Sequence, residues 1–241
     1  MAKQELSAPF IGIVRHRLAT DGKGVTTLAA FHGCPLRCKY CLNPQCLDPK
    51  MVWRNITTSQ LLDELLLDNL YFLATGGGVT FGGGEPLLRS EFIEEFCRIK
   101  VPEWKVNIET SLNVDRSHLE RVLPHVNEFF IDIKDTNPAI YKQYTTRDNA
   151  AVLDNLRWLL EHDGMHERVI VRLPHIPGHN TQDDINHSRA LLEQMGVTRF
   201  DEFDYIVKQK SCHESLPPQL ILRLSPLEKV VFLCLLKLSN D

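Results

Sequence analysis

The chain of 241 residues lacks the features that would place it in a membrane or on a nucleic acid. Its longest apolar run, residues 230–236, is far too short to cross a bilayer. The first residues carry mixed charge and no apolar core follows them, so no secretory signal is visible. The net charge of −4 offers no basic surface for nucleic acid. These absences predict a cytoplasmic protein with neither a membrane nor a nucleic-acid partner.

The seven cysteines are an odd set, which does not suit a disulfide framework and indicates a reducing compartment. Three of them, Cys34, Cys38 and Cys41, have the spacing C-x3-C-x2-C. Three thiolates are too few to close a tetrahedral zinc site, whereas on a cubane iron–sulfur cluster they leave one iron free for a substrate or cofactor. The zinc alternative requires Cys46 as a fourth thiolate, with His32 as a further candidate ligand.

Strand and helix patterns alternate along the chain, without an internal repeat, a low-complexity tract or a linker. Six strands joined by helices predict a parallel sheet with right-handed crossovers. The predicted strands are residues 25–31, 76–81, 104–108, 129–133, 168–173 (ended by Pro174) and 203–207. After a capping box at Thr57, the leucine-rich segment predicts one helix with a buried face. The basic group at residues 15–17 predicts a solvated loop.

The length is that of one sizeable domain, with a core at about residues 12–210 and a helical tail at about residues 218–241. Periodicity does not distinguish an open parallel sheet from a barrel. In both, functional groups gather at the C-terminal ends of the strands. His175 and His179 are predicted to be exposed loop histidines without a role in the chemistry.

The cysteine motif, with Tyr40 before its last cysteine, resembles that of the radical S-adenosylmethionine (SAM) enzymes. The preceding sequence DGKG at residues 21–24 and the later GGGVTFGGGEP at residues 76–86 resemble the glycyl-radical-enzyme activating enzymes of the pyruvate formate-lyase type. The resemblance covers about residues 12–196. It implies an α/β fold, a partial (β/α)6 barrel of the radical SAM type. The space between Cys41 and Gly76 is too short for an extra ferredoxin-like module, so one [4Fe-4S] cluster is expected.

The resemblance also implies a chemistry. SAM binds the open iron through its amino and carboxylate groups, and a reduced flavodoxin or ferredoxin supplies the electron. The carbon–sulfur bond then breaks to give methionine and a 5′-deoxyadenosyl radical. In the activating enzymes this radical removes a hydrogen from a backbone glycine of a partner glycyl radical enzyme.

The resemblance also implies site residues, at the positions of this sequence that match the family's motifs. Beyond the three cysteine ligands, Tyr40 and Leu42 are expected to line the adenine pocket. Gly83 and Gly84 are expected to let the backbone approach the cofactor closely. Glu85 is a candidate acceptor for the methionine ammonium group.

Further along the chain, Asp132-Ile133-Lys134 corresponds to a triplet that the family uses at the SAM site. Asp132 is expected near the SAM carboxylate, with a monovalent cation as a candidate between them. Arg172 is expected to clamp that carboxylate, because its guanidinium donors form a rigid fork. The pair at residues 109–110 is expected to border the cation.

Three segments depart from the family pattern. Gly24 is followed by valine where the family has arginine, and residues 111–113 (SLN) replace an asparagine-glycine pair. No histidine occurs in residues 203–210, where the family has one that contacts SAM. These departures leave two alternatives open: a radical SAM enzyme that acts on a small molecule or peptide, and a non-catalytic metal-binding protein of the same fold.

Overall fold

The computed structural model describes residues 5–18 and 20–205, which lie in one compact unit, Met1–Ile206. The predicted helical tail at about residues 218–241 lies outside the described residues, so the single-domain organisation stays a prediction. None of the described helices combines the length and apolar character that a membrane crossing requires.

The described residues form an eight-stranded sheet in the order β3-β1-β2-β4-β5-β6-β7-β8. Its strands are β1 Ser7–Leu18, β2 Val25–Phe31, β3 Arg54–Thr57, β4 Gly78–Gly83, β5 Lys105–Thr110, β6 Glu128–Asp132, β7 Val169–His175 and β8 Phe200–Asp204. β2 and β4 to β8 run parallel, and β1 is antiparallel to both of its neighbours. The six parallel strands, in a sheet that is not closed, confirm the predicted α/β fold and partial barrel.

Helices connect these strands. They are α1 Thr58–Leu66, α2 Asn69–Thr75, α3 Ser90–Ile99, α4 Arg116–Val122, α5 Pro138–Thr145, α6 Ala150–Leu160, α7 Met165–Arg168 and α8 Gln182–Gln194. Short 3-10 helices lie at Pro44–Leu47, Pro49–Met51 and Pro86–Arg89. The predicted capping box is present at the start of α1, where the side chains and backbone of Thr57 and Gln60 bond reciprocally.

The two faces of the sheet differ because successive side chains of a strand point to opposite sides. On one face, alternate apolar residues such as Phe81, Ile108 and Ile131 join the main core. The intervening positions on β5 to β7 are mixed: Glu109, Asp132 and Arg172 are charged, whereas Phe130 and Ile170 are apolar and buried. The sheet therefore has one apolar face and one face that combines charged and apolar side chains.

The leucine-rich segment does not form the single buried helix that its pattern predicts. Leu61 and Leu65 are fully buried, but Leu70 in α2 is 75% exposed. The helix is interrupted at Asp68, a buried residue whose carboxylate accepts a hydrogen bond from Arg15 at 2.6 Å. Thr27 on β2 also donates to this carboxylate, so Asp68 is held against the sheet between α1 and α2. Leu66 is already 44% exposed before Asp68, so the leucine stripe is only partly buried within α1 as well.

The predicted loop at residues 15–17 is wrong, because these residues belong to β1. A positive φ of 56° at His16 and a register shift between Val14 and Arg17 mark an irregularity in the strand. The predicted strand end at Pro174 is also wrong: β7 continues to His175, since Pro174 still pairs with Phe203 of β8. The sixth parallel strand begins three residues earlier than predicted.

Candidate active site

The predicted site residues lie at the ends of neighbouring strands. The cysteine loop, defined here as residues 32–46, follows β2. Gly83 ends β4, Thr110 ends β5 and Asp132 ends β6, while Arg172 lies within β7. Because these strands are parallel, their C-terminal ends share one edge of the sheet.

The cysteine loop is fixed by backbone hydrogen bonds. Gly33 donates its N–H to the Cys46 carbonyl at 2.9 Å, which closes the loop on itself. Two bonds join its middle to the end of α5: Arg37 N–H to Thr145 C=O at 2.9 Å, and Lys39 N–H to Tyr144 C=O at 3.1 Å. The last carbonyls of a helix have no partner within the helix, so they are free to hold the loop.

The three cysteines have unequal proton affinities. Burial raises the pKa of Cys34 to about 12 and that of Cys38 to about 11, and the Glu85 carboxylate contributes to the rise at Cys34. A hydrogen bond from the buried Cys46 lowers the pKa of Cys41 to about 6. A metal ligand must be a thiolate, so Cys34 and Cys38 need the positive charge of a metal to lose their protons near neutral pH.

The zinc alternative and the cluster require different arrangements of sulfur. In residues 5–18 and 20–205, no group of three Cys, His, Asp or Glu side chains could hold a single metal ion. His32 is also engaged, since its Nε2 lies 2.9 Å from the Asp48 carbonyl oxygen. A cubane cluster binds each thiolate at a different iron, so its ligands need not converge on one point. The three cysteines of the loop are free and partly exposed.

Gly83 and Gly84 allow close contact with the protein's own backbone. A Cβ on Gly84 would lie 2.1 Å from the Gly33 carbonyl oxygen, and one on Gly83 would lie 2.8 Å from the Ala30 Cβ. The Gly84 N–H donates to the Phe31 carbonyl at 2.9 Å. These glycines therefore seat the cysteine loop against β4. Their predicted contact with a cofactor stays a prediction.

The Glu85 carboxylate is engaged with protein donors. Only 1% of the residue is exposed. Oε1 accepts from the Thr110 hydroxyl at 2.7 Å and the Leu87 N–H at 3.2 Å, while Oε2 accepts from the Ser111 N–H at 2.9 Å and the Ser111 hydroxyl at 2.7 Å. Burial raises its pKa, and these bonds oppose the rise. Because four donors occupy the two oxygens, the carboxylate ties the loop after β4 to the loop after β5, and the predicted ammonium contact would have to compete with them.

We expect Glu85→Gln to lower the free energy of unfolding by about 1–3 kcal/mol, the cost of a buried unsatisfied group. Each carboxylate oxygen of Glu85 accepts one backbone N–H. In the variant, either orientation of the glutamine side-chain amide therefore places its NH2 group against a backbone N–H donor. Urea denaturation measures the loss. The matched control is Glu103→Gln at an exposed position, which should change stability by less than about 0.5 kcal/mol. Equal stability of the two variants would contradict this account of Glu85.

Asp132 and Lys134 contact each other at the end of β6. The Lys134 Nζ lies 3.1 Å from the Asp132 Oδ2. Although burial lowers the pKa of Lys134, the charges of Asp132 and Cys38 raise it further, so the ammonium keeps its proton. Ile133 points into the main core and is 1% exposed. Its predicted cofactor contact can therefore involve only its backbone, whose N–H donates to the Arg172 carbonyl at 3.1 Å.

The Arg172 guanidinium already uses three of its five N–H donors within the protein, and its predicted contact with the SAM carboxylate stays a prediction. Its two terminal nitrogens donate to Glu109 Oε1 at 3.0 and 3.1 Å, and one also donates to the Thr20 carbonyl at 2.7 Å. Glu109 also lies 3.4 Å from Arg17, which is paired with the fully buried Asp21. Burial raises the pKa of Glu109, whereas Arg172 opposes the rise. The two residues of the predicted pair at 109–110 therefore have different partners: Glu109 pairs with arginines, whereas Thr110 bonds to Glu85.

Tyr40 and Leu42 occupy different environments. The Tyr40 ring lies 6.2 Å from the Tyr144 ring and 5.5 Å from the His179 ring, both edge-on. Leu42 is 52% exposed at the surface of the loop. His179 therefore packs against the loop, contrary to its prediction as an isolated exposed residue. The sequence motif does not indicate Tyr144 or His179, because both come from elements far along the chain.

The comparisons with known proteins agree on the family. Residues 29–191 match the radical SAM superfamily. The chain is 33% identical over 226 residues to the (2S)-3-sulfopropanediol dehydratase activating enzyme of Klebsiella oxytoca, with 68% of this chain and 70% of that protein covered. It is 31% identical over 171 residues to the pyruvate formate-lyase-activating enzyme of Staphylococcus aureus, with 68% of this chain and 67% of that protein covered.

A solved structure supports the fold. SuiB of Streptococcus suis bound to S-adenosylmethionine superposes with a TM-score of 0.56 and 13% identity, over 76% of this chain and 40% of that chain. At this identity the likeness concerns the fold alone. The superfamily match extends from β2 into α8 and includes the cysteine loop. From its motif, its parallel sheet and this match, the chain belongs to the radical SAM superfamily.

Proposed function

We propose that this chain cleaves SAM reductively and removes a hydrogen from a backbone glycine of a partner glycyl radical enzyme. Membership of the superfamily implies a [4Fe-4S] cluster and SAM. The observation that carries the proposal is the cysteine loop: three partly exposed cysteines on a rigidly held loop, with Cys46 buried beside them. The names of the relatives support the choice of an activating enzyme.

When bound, the cluster and SAM supply the radical chemistry: one electron breaks the bond between sulfur and C5′, and the resulting radical takes a hydrogen atom to become 5′-deoxyadenosine. The residues of the chain bind, orient and shield. Cys34, Cys38 and Cys41 hold the cluster and leave one iron open. The partner's glycine keeps the unpaired electron, and methionine leaves. The electron donor is a reduced flavodoxin or ferredoxin.

The pair Asp132–Lys134 is proposed as the binding site for the amino-acid end of SAM. It presents both signs of charge near Cys38, whose pKa responds to both residues. Lys134 would bind the SAM carboxylate, because three of the five N–H donors of Arg172 are already engaged with Glu109 and the Thr20 carbonyl. Arg172 then supports the site through its carbonyl, which accepts the Ile133 N–H between Asp132 and Lys134. The monovalent cation implied by the resemblance would lie beside Asp132.

We expect Lys134→Met to raise the dissociation constant of SAM about tenfold or more, because it removes a charged hydrogen-bond donor. The matched control is Lys142→Met, an exposed position on α5. Titration of the reconstituted protein with SAM, followed by electron paramagnetic resonance (EPR) of the reduced cluster, measures the change. Repeating the titration with choline in place of potassium tests the cation. Equal affinities of the two lysine variants would contradict the assignment of Lys134.

The test of the whole proposal has two stages. Anaerobic reconstitution should give a brown protein that contains iron and sulfide and, once reduced, converts SAM to 5′-deoxyadenosine. Addition of a glycyl radical enzyme encoded beside this chain should then produce a glycyl radical signal in EPR. SAM cleavage without that signal would favour a small-molecule or peptide substrate. A colourless zinc protein without SAM cleavage would refute the proposal.

A further inference from the structure

Tyr205 connects two strands that are distant in the sheet. It directly follows β8, whereas Tyr40 lies in the loop that follows β2. The Tyr205 hydroxyl donates a hydrogen bond to the Tyr40 carbonyl, although the two residues are 165 positions apart in the chain. Four parallel strands separate β2 from β8 in the sheet order. The contact therefore spans the C-terminal edge of the open sheet.

The ring of Tyr205 is also packed against the cysteine loop. Tyr205 is buried, with 9% of its surface exposed, in a small cluster with Tyr144 and Ile176. Cys38 and Tyr40 pack against this cluster. It is separate from the main core, so its apolar contacts serve the loop rather than the body of the sheet.

The hydrogen bond from Tyr205 affects the cysteine loop because the Tyr40 carbonyl lies next to Cys41. The Tyr40 carbonyl belongs to the same peptide plane as the N–H of Cys41, which donates to the Cys38 carbonyl at 3.3 Å. A hydrogen bond on the carbonyl of a peptide strengthens the bond that its N–H makes. Fixing this plane also restrains the position of the Cys41 Cα, from which the side chain projects.

We infer that Tyr205 is a positioning residue for the cysteine loop. Its hydroxyl locks the peptide between Tyr40 and Cys41 and thereby sets the geometry of the last two cysteines. The inference rests on the proposed function for what this loop holds, but the contact itself exists without a cluster. It gives β8, at one edge of the sheet, a direct influence on the site that follows β2.

The experiment compares Tyr205→Phe with Tyr141→Phe. Both variants remove one hydroxyl from a buried tyrosine, but the Tyr141 hydroxyl accepts a hydrogen bond from Asn113 and, within residues 5–18 and 20–205, makes none to the cysteine loop. Hydrogen exchange of peptides from the metal-free protein reports on the Lys39 and Cys41 amides. We expect exchange in these peptides to be about fivefold faster in Tyr205→Phe, from the loss of one hydrogen bond, and unchanged in Tyr141→Phe.

A second measurement uses the reconstituted protein. We expect Tyr205→Phe to weaken SAM binding about fivefold and to broaden the EPR signal of the reduced cluster with SAM, since the peptide beside Cys41 then keeps only one of its two hydrogen bonds. Equal exchange rates in the two variants would overturn the inference, as would unchanged SAM affinity and EPR in Tyr205→Phe. If the wild-type protein assembles no cluster, the proposed function fails, while hydrogen exchange still decides the role of Tyr205.

Discussion

Replacing Cys34, Cys38 or Cys41 by alanine should each abolish iron and sulfide binding, whereas Cys46→Ala should retain both. Each of the three cysteines provides the thiolate ligand of one iron. A cluster that is bound by only two thiolates has two irons without a protein ligand. Cys46 is buried and acts as a hydrogen-bond donor to Cys41. Its loss therefore removes one contact of a ligand but no ligand.

The measurement is iron and sulfide content after anaerobic reconstitution, with the absorbance of the brown protein as a second signal. Cys97→Ala is the matched control, since Cys97 is a partly buried thiol on α3 beside the main core. It should bind as much iron as the wild-type protein. If Cys46→Ala proves as damaging as Cys41→Ala, the three-ligand assignment is wrong and a fourth thiolate participates.

The parallel strands could be predicted from the sequence because each depends on a local pattern. Residues 25–31 form β2 with the predicted bounds, and the alternation of Val106 and Ile108 correctly indicates strand β5, although Asn107 on its other face is also buried. Turn and capping residues, such as Thr57, fix where elements begin.

The partners of the polar site residues could not be predicted in this way. Glu85 bonds to Ser111, 26 positions on, and Arg172 bonds to Glu109, 63 positions back. No local pattern states which distant donor fills a buried acceptor. Sequence motifs therefore identify residues that gather at the site but leave open whether a given side chain binds a ligand or another residue.

The outward-facing leucines show the same limitation. Their spacing predicts a continuous buried stripe, yet the helix is interrupted at Asp68, whose buried carboxylate pairs with Arg15 and also contacts His16 and Thr27. Both charged residues are visible in the sequence, but their proximity depends on the pairing of β1 with β2. A tertiary contact thus overrides a helical pattern that is locally strong.

Gly84→Ala should both destabilise the fold and reduce cluster binding. Its Cβ would lie 2.1 Å from the Gly33 carbonyl oxygen, a backbone atom that can move only if the cysteine loop moves. That displacement would break the bonds from Gly84 N–H to Phe31 and from Glu85 N–H to Gly33, at 2.9 and 2.8 Å. We expect the free energy of unfolding to fall by about 3 kcal/mol.

Gly12→Ala is the matched control, because Gly12 lies in β1 and a Cβ there would meet no atom within 4 Å. It should change stability by less than about 0.5 kcal/mol and leave iron binding intact. Urea denaturation and iron content, measured on both variants, separate two effects of Gly84→Ala. If Gly84→Ala loses stability but binds iron fully, the cysteine loop can still bind a cluster after it has been displaced. If it matches Gly12→Ala in both measurements, the close approach of β4 to Gly33 does not determine the position of the three cysteines.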